Sequence, residues 1–89
     1  MPHYHFHMLN GRLFRDRDGE DLADDAAARR HALKIMGEVL RDGSIDVWGA
    51  GPFRVLCTDD AGAIVTGLIA GAIPADLAGR TLAEIERGE

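Results

Sequence analysis

The chain has one cysteine and three prolines, and aromatic residues make up only 6% of it. A lone thiol, Cys57, has no internal partner, which excludes a disulfide-stapled secreted scaffold and points to a reducing, cytoplasmic compartment. No apolar run reaches the roughly 18 residues a spanning helix needs, and the first residues lack the basic-then-apolar order of a secretory leader. A soluble chain with no membrane partner is the expectation. Positive charge is scarce as well: ten Lys and Arg stand against fifteen Asp and Glu, a net charge of −5. Such a chain repels a phosphate backbone, so nucleic acid is not an expected partner.

What remains is enough for one small domain over residues 1–89. A chain of this size buries roughly 60 to 65% of its unfolded surface, so it folds alone with a thin margin that association would widen.

The most informative motif is an alternation near the start. In His3-Tyr4-His5-Phe6-His7-Met8 a strand places the three imidazoles on one face and Tyr4, Phe6 and Met8 on the other. Asn10-Gly11 follows, the pair that favours a two-residue hairpin turn. That turn predicts Met8 opposite Leu13, His7 opposite Phe14, Phe6 opposite Arg15, His5 opposite Asp16 and His3 opposite Asp18. The histidine face then carries acidic partners, and the face with Tyr4, Phe6, Met8 and Leu13 is the core side, with the stems of Arg15 and Arg17 alongside.

A turn-rich stretch leads to a helix capped by Asp24 and stopped at Gly43, with Arg41 in its last turn. Ala28, Ala32, Leu33, Ile35, Met36, Val39 and Leu40 recur at three- and four-residue steps, a stripe that must lie on the sheet. Ala28, Ala32 and Gly37 are small enough to let helix and sheet approach closely. Phe53–Thr58 and Ala63–Ile69 read as a second hairpin around Asp59-Asp60-Ala61-Gly62, pairing Cys57 with Ile64 and Val55 with Thr66. Phe53, Val55, Cys57, Ile64 and Leu68 form its core face; Arg54, Leu56, Thr58, Val65 and Ile69 form the other. In the tail, Thr81-Leu82-Ala83-Glu84 fits a capping box and predicts a short helix over 82–87, docked through Leu82 and Ile85 on this domain or on a neighbouring subunit.

These elements predict an α+β domain of order β-β-α-β-β: a four-stranded antiparallel sheet, a long helix on one face and a short C-terminal helix. Residues 1–69 form the core and 70–89 an extension.

The pieces Met1-Pro2-x-Tyr4-x-Phe6-His7, Asp16-x-x-Gly19-x-x-Leu22-x-Asp24 and Thr58-Asp59-x-x-Gly62 together resemble a family of short alphaproteobacterial proteins of unknown function. The likeness covers about residues 1–69. It implies a bacterial stand-alone domain and no assigned activity. His5 departs from the pattern, where an aromatic residue is more usual; of the three histidines only His7 falls on a matching position.

The candidate chemistry sits with the histidines. His3 and His7 lie roughly 13 Å apart on a flat strand, too far for both to reach one ion held at about 2.0–2.1 Å. A metal reading, with zinc or nickel as the ion, therefore uses His5 with His3 or His7, plus Asp16 as a ligand or as an orienting partner. Solvated His–Asp pairs are the simpler alternative. Asp16-Arg17-Asp18-Gly19 misplaces the glycine of a calcium loop and has Ala27 where the bidentate glutamate belongs, so an EF-hand is rejected. Gly49-x-Gly51 neither follows a strand nor opens a helix, so no phosphate loop is expected. Cys57 alternates into the core, where a thiol is inert, and His31 reads as a solvated helix position.

An Asp16–His5 acid–base dyad lacks a cleft on a flat sheet face. The leading expectation is a non-enzymatic interaction or homodimerisation module without a cofactor. Its surface is the mixed face of Phe14, Leu56, Val65 and Ile69 beside the histidines, or a sheet edge. Trp48, the only tryptophan, is either a lid on the core or an exposed anchor for a partner. Protonation of the three histidines would tie association on this face to acidity.

Overall fold

The computed structural model describes residues 1–88. Seven elements follow in order: β1 (His3–Leu9), β2 (Leu13–Phe14), β3 (Glu20–Asp21), α1 (Asp25–Asp42), β4 (Phe53–Asp59), β5 (Ile64–Ala70) and α2 (Ala75–Arg87). The expected α+β architecture holds, with one added strand. All pairings are antiparallel, and the sheet order is β2-β1-β4-β5 with β3 also on β1. One edge of β1 is thus shared by two short strands, and its other edge pairs with β4.

The first hairpin differs from the expected register by one residue. Leu9 pairs with Leu13 and Met8 with Phe14, so Asn10, Gly11 and Arg12 form a three-residue loop. Gly11 takes the left-handed conformation at φ 68°, and the Asn10 side chain is drawn away to donate to the Gly51 carbonyl at 2.8 Å. That tether stabilises the longer loop over the two-residue turn that Asn-Gly otherwise favours. The consequence is a change of face for Phe14. It lies beside Met8 on the helix side, bordering a depression of about 300 Å³ with Val39, Ile45 and Phe53. Leu13 is exposed rather than part of the core.

Tyr4 and Phe6 face the helix as expected, and with Met36, Phe53, Val55 and Cys57 they make the buried core. Fully burying such a side chain contributes about 1.5–3 kcal/mol, so these few residues carry most of the fold. α1 presents Ala28, Ala32 and Met36, a stripe of four-residue steps whose small members let it settle on the sheet. Gly37 is outside that contact, with nothing within 4 Å of where its Cβ would be. The helix ends are as the sequence indicates: the Asp24 carboxylate accepts from the Ala27 N–H at 2.8 Å, and Gly43 closes the helix at φ 75°.

The β4–β5 turn holds at Asp59 to Gly62, but its register is displaced by two residues: Cys57 pairs with Thr66 and Val55 with Leu68. A shift of two preserves faces, so Leu68 stays on the core side and Leu56 and Ile69 stay opposite. Between Cys57 and Thr58 the register slips by one residue, so that nearer the turn the displacement is one and Val65 is the extra member of a bulge. The bulge reverses two expectations. Val65 packs against the core, and Ile64 is 70% exposed.

The tail also differs. α2 begins at Ala75 after Pro74, seven residues before the expected start, so Thr81 lies inside the helix and caps nothing. A proline with extended backbone starts the helix instead, since its missing N–H costs nothing there. No residue of α2 is buried, and Leu82 and Ile85 dock on no part of the domain. Trp48 is 81% exposed in a turn held by the Asp46 carboxylate, so it is no lid on the core.

Candidate functional site

His3, His5 and His7 point away from α1, as the alternation of β1 requires. His3 and His5 meet edge to face with ring centroids 5.1 Å apart, and His5 stacks on His7 at 6.2 Å. The surroundings differ from the expected His–Asp pairing, because β2 ends at Phe14 and the chain crosses outside β1 over residues 15–19 before rejoining it as β3.

Asp16 organises that crossing. Its carboxylate accepts the Phe6 N–H at 3.0 Å through Oδ2 and the Gly19 N–H at 3.1 Å through Oδ1. The side chain therefore takes the place of a missing strand along the middle of β1. Its backbone completes the staple: the Asp16 N–H donates to His7 Nδ1 at 3.1 Å, and its carbonyl accepts from His5 Nδ1 at 3.2 Å. Burial pushes the Asp16 carboxyl upward, but the Phe6 and Gly19 N–H donors and the nearby His5 outweigh it, and the carboxyl titrates below its ordinary value.

His7 is thereby fixed in one tautomer. Nδ1 accepts, so Nε2 carries the proton and donates to Thr58 Oγ1 at 3.3 Å. His3 has the opposite environment. Nδ1 is 2.6 Å from Asp21 Oδ1 and Nε2 is 2.7 Å from the Asp18 carbonyl, so both nitrogens face acceptors. The bonds to Asp21 and then to Asp18 raise the His3 pKa above its ordinary value. The expected partner Asp18 contributes its carbonyl only, and Asp21 stands opposite His3.

Gly19 closes the staple at φ 69°. A Cβ there would lie 2.5 Å from the Tyr4 carbonyl oxygen, 2.6 Å from His3 Nε2 and 2.9 Å from His5 Nδ1. This glycine is required twice, for its backbone angle and for its lack of a side chain. Arg15 and Arg17 border the histidines with Asp60, rather than lying along the core side.

His5 Nε2 lies 3.3 Å from Asp60 Oδ1, a residue of the β4–β5 turn that sequence separation hid. His3, His5 and Asp60 each offer a donor atom within 4.8 Å of the other two. The structure leaves Asp16 and His7 outside that group. His31 is likewise more than a solvated position: it meets the Phe6 ring at 4.7 Å and pairs with Glu20 at 2.8 Å, clamping α1 to β3. Tyr4 donates its hydroxyl to Asp25 at 2.8 Å, and burial together with that carboxylate pushes its pKa up to about 12.

Next to the histidine column the outer face turns apolar. His7 pairs with Leu56, Leu56 with Gly67, and Arg54 with Ile69. Because Gly67 has no side chain, a depression of about 340 Å³ opens between Leu56 and Ile69. Beyond it lies the free edge of β5, seven residues without a charge or a proline, paired only to β4. α2 follows with Leu77, Ala78, Thr81, Leu82 and Ile85 along one side; Leu77, Leu82 and Ile85 are each more than half exposed.

This arrangement, a small antiparallel sheet under one helix with a capped strand edge, defines an α+β domain. The chain belongs to a family described as a domain of unknown function, DUF6894, whose model matches residues 3–70. No curated protein and no solved structure matches the chain. None of the described helices is long and apolar enough to cross a membrane.

Proposed function

We propose that this chain is a non-enzymatic protein-interaction domain that pairs with a second copy of itself along the β5 edge. The observation that carries the reading is the edge itself. Sheet edges in isolated domains are normally shortened, charged, kinked by proline or covered, because their unpaired N–H and C=O groups template another strand. Among β5's seven residues none is charged and none is proline, its one bulge lies near the turn, and no strand pairs with its outward side. An antiparallel pairing about a two-fold axis would extend the sheet through both copies and give every outward group a partner.

The apolar surface beside the edge supports the same reading. Leu56, Ile64 and Ile69 share the outer face, and the stripe on α2 starts only a few residues after the strand. A second copy supplies apolar cover for both at once. Phe14 and Val65 drop out of the interaction face for the reasons given above, and Trp48, exposed on its loop, remains available as an anchor. The resemblance of the motifs adds a bacterial setting to this reading, and the lone thiol a cytoplasmic one.

Light scattering across a concentration series tests it. A dimer is expected, and Ile64→Lys combined with Ile69→Lys is expected to return the monomer, since charge beside an edge opposes strand addition. A wild-type chain that stays monomeric at high concentration overturns the proposal.

A further inference from the structure

We propose that His3, His5 and Asp60 form a binding site for a divalent transition metal of the zinc type, independent of the β5 edge. Two imidazoles and one carboxylate suit such an ion; magnesium and calcium prefer all-oxygen sets. Three protein ligands also leave one position of a tetrahedron open, to water or to a group from a partner.

The argument rests on how the two imidazoles are held. Metal-binding histidines nearly always donate their second nitrogen to a carboxylate or a backbone carbonyl, which fixes the ring and leaves the other lone pair for the ion. His5 has this arrangement: Nδ1 donates to the Asp16 carbonyl, and Nε2 is directed to Asp60 Oδ1 at 3.3 Å. Both nitrogens of His3 face oxygen acceptors, the Asp21 carboxylate and the Asp18 carbonyl, so the nitrogen that ligates exchanges its acceptor for the ion while the other stays anchored. His5 and Asp60 are 55 positions apart in sequence, and their meeting is a product of the fold.

The donor atoms lie within 4.8 Å of one another, whereas ligands of a tetrahedral zinc stand roughly 3.3 Å apart. Asp60 is the member able to close that difference, since its side chain is 73% exposed on the turn. The site excludes two residues that the sequence favours. His7 uses Nδ1 to accept the Asp16 N–H, each Asp16 carboxylate oxygen already accepts a backbone N–H, and neither residue is in the group whose donor atoms converge.

Zinc titration by calorimetry on tag-free, chelator-treated protein at neutral pH tests the assignment. Saturable binding of one ion per chain is expected, weakened at least tenfold by Asp60→Ala and by His5→Gln and changed less than twofold by His31→Gln. Cobalt(II) in place of zinc is expected to give the intense visible absorption of a four-coordinate ion, lost in Asp60→Ala. Thermal unfolding of metal-free Asp60→Ala checks that the exposed turn still folds. Absence of saturable binding, or equal affinity in wild type and Asp60→Ala, overturns the proposal. So does a loss of affinity in His7→Gln with none in Asp60→Ala.

Discussion

The sheet has two edges, and they are finished in opposite ways. At the β1 edge two strands of two residues each flank a crossing segment, and one carboxylate occupies the gap between them. At the β5 edge seven uncharged residues run to the end without cover. The β1 edge shows that a sheet can be closed without a full strand, provided an acceptor sits where the ladder would have had a carbonyl. The β5 edge shows what an edge looks like when a single bulge near its turn is all that interrupts it. Closure at β1 involves Asp16, Gly19, His5 and His7 in mutual contacts, whereas β5 commits no side chain to its own protection. The proposed strand addition therefore falls to β5, and the histidine face is first of all part of a closure.

The comparison is tested most severely at Gly19. Gly19→Ala forces a left-handed alanine and a Cβ 2.5 Å from the Tyr4 carbonyl. We expect a loss above about 3 kcal/mol in denaturant unfolding, the sum of backbone strain and displacement of the crossing segment. Gly43→Ala is the control: it has a similar φ of 75° but nothing within 4 Å, and is expected to cost about 1 kcal/mol. Equal losses at the two positions would show that the crossing segment has room to move and that the edge is not held by Gly19.

Asp16→Ala comes next. It strands the N–H groups of Phe6 and Gly19 and is expected to cost about 2 kcal/mol near neutral pH. Because the folded carboxyl titrates below its ordinary value of 3.8, its stabilisation is complete above that pH and is lost as pH falls through the folded value. Wild type and Asp16→Ala should accordingly converge in stability on acidification below about pH 4, as unfolding curves at several pH values would show. Cys57 gives a further readout. Burial pushes its thiol up to about 11, so alkylation at mildly alkaline pH waits on opening of the sheet. Labelling should be slow in wild type and faster in Asp16→Ala. Fast labelling of the wild-type chain would mean that the closure does not protect β4.

Much of this was legible in the sequence. Asp24 and Gly43 bracket α1, and the alternation of β1 separates Tyr4 and Phe6 from the histidines, because capping and pleat are local physics. The registers were not legible. Asn10 contacts Gly51 across 41 positions, and that tether decides the length of the first loop. Likewise the bulge at Val65 exchanges the faces of Ile64 and Val65 and sets Val65 against the core. At the histidines, the alternation revealed the cluster but not its partners. Asp60 reaches His5 only through the β1–β4 pairing, and Asp16 is turned from His5's carboxylate partner into the acceptor for Phe6 by the early end of β2. Asp16-x-x-Gly19 was visible as a motif, and its meaning needed the crossing segment.

The smallest effect on the fold is expected at the open edge. Ile64 and Ile69 are 70% and 68% exposed, and neither belongs to the buried cluster. Replacing both with lysine removes no core contact and leaves every backbone hydrogen bond of the β4–β5 ladder in place. Under dilute conditions that keep both chains monomeric, the double variant should match wild type within about 0.5 kcal/mol in denaturant unfolding, the range of ordinary surface changes. A larger loss would mean that the outer face of β5 is already packed within one chain, and the contrast between a closed and an open edge would fail. Equal monomer stability combined with lost association would place the energy of these side chains between chains, where the bare strand requires it to be.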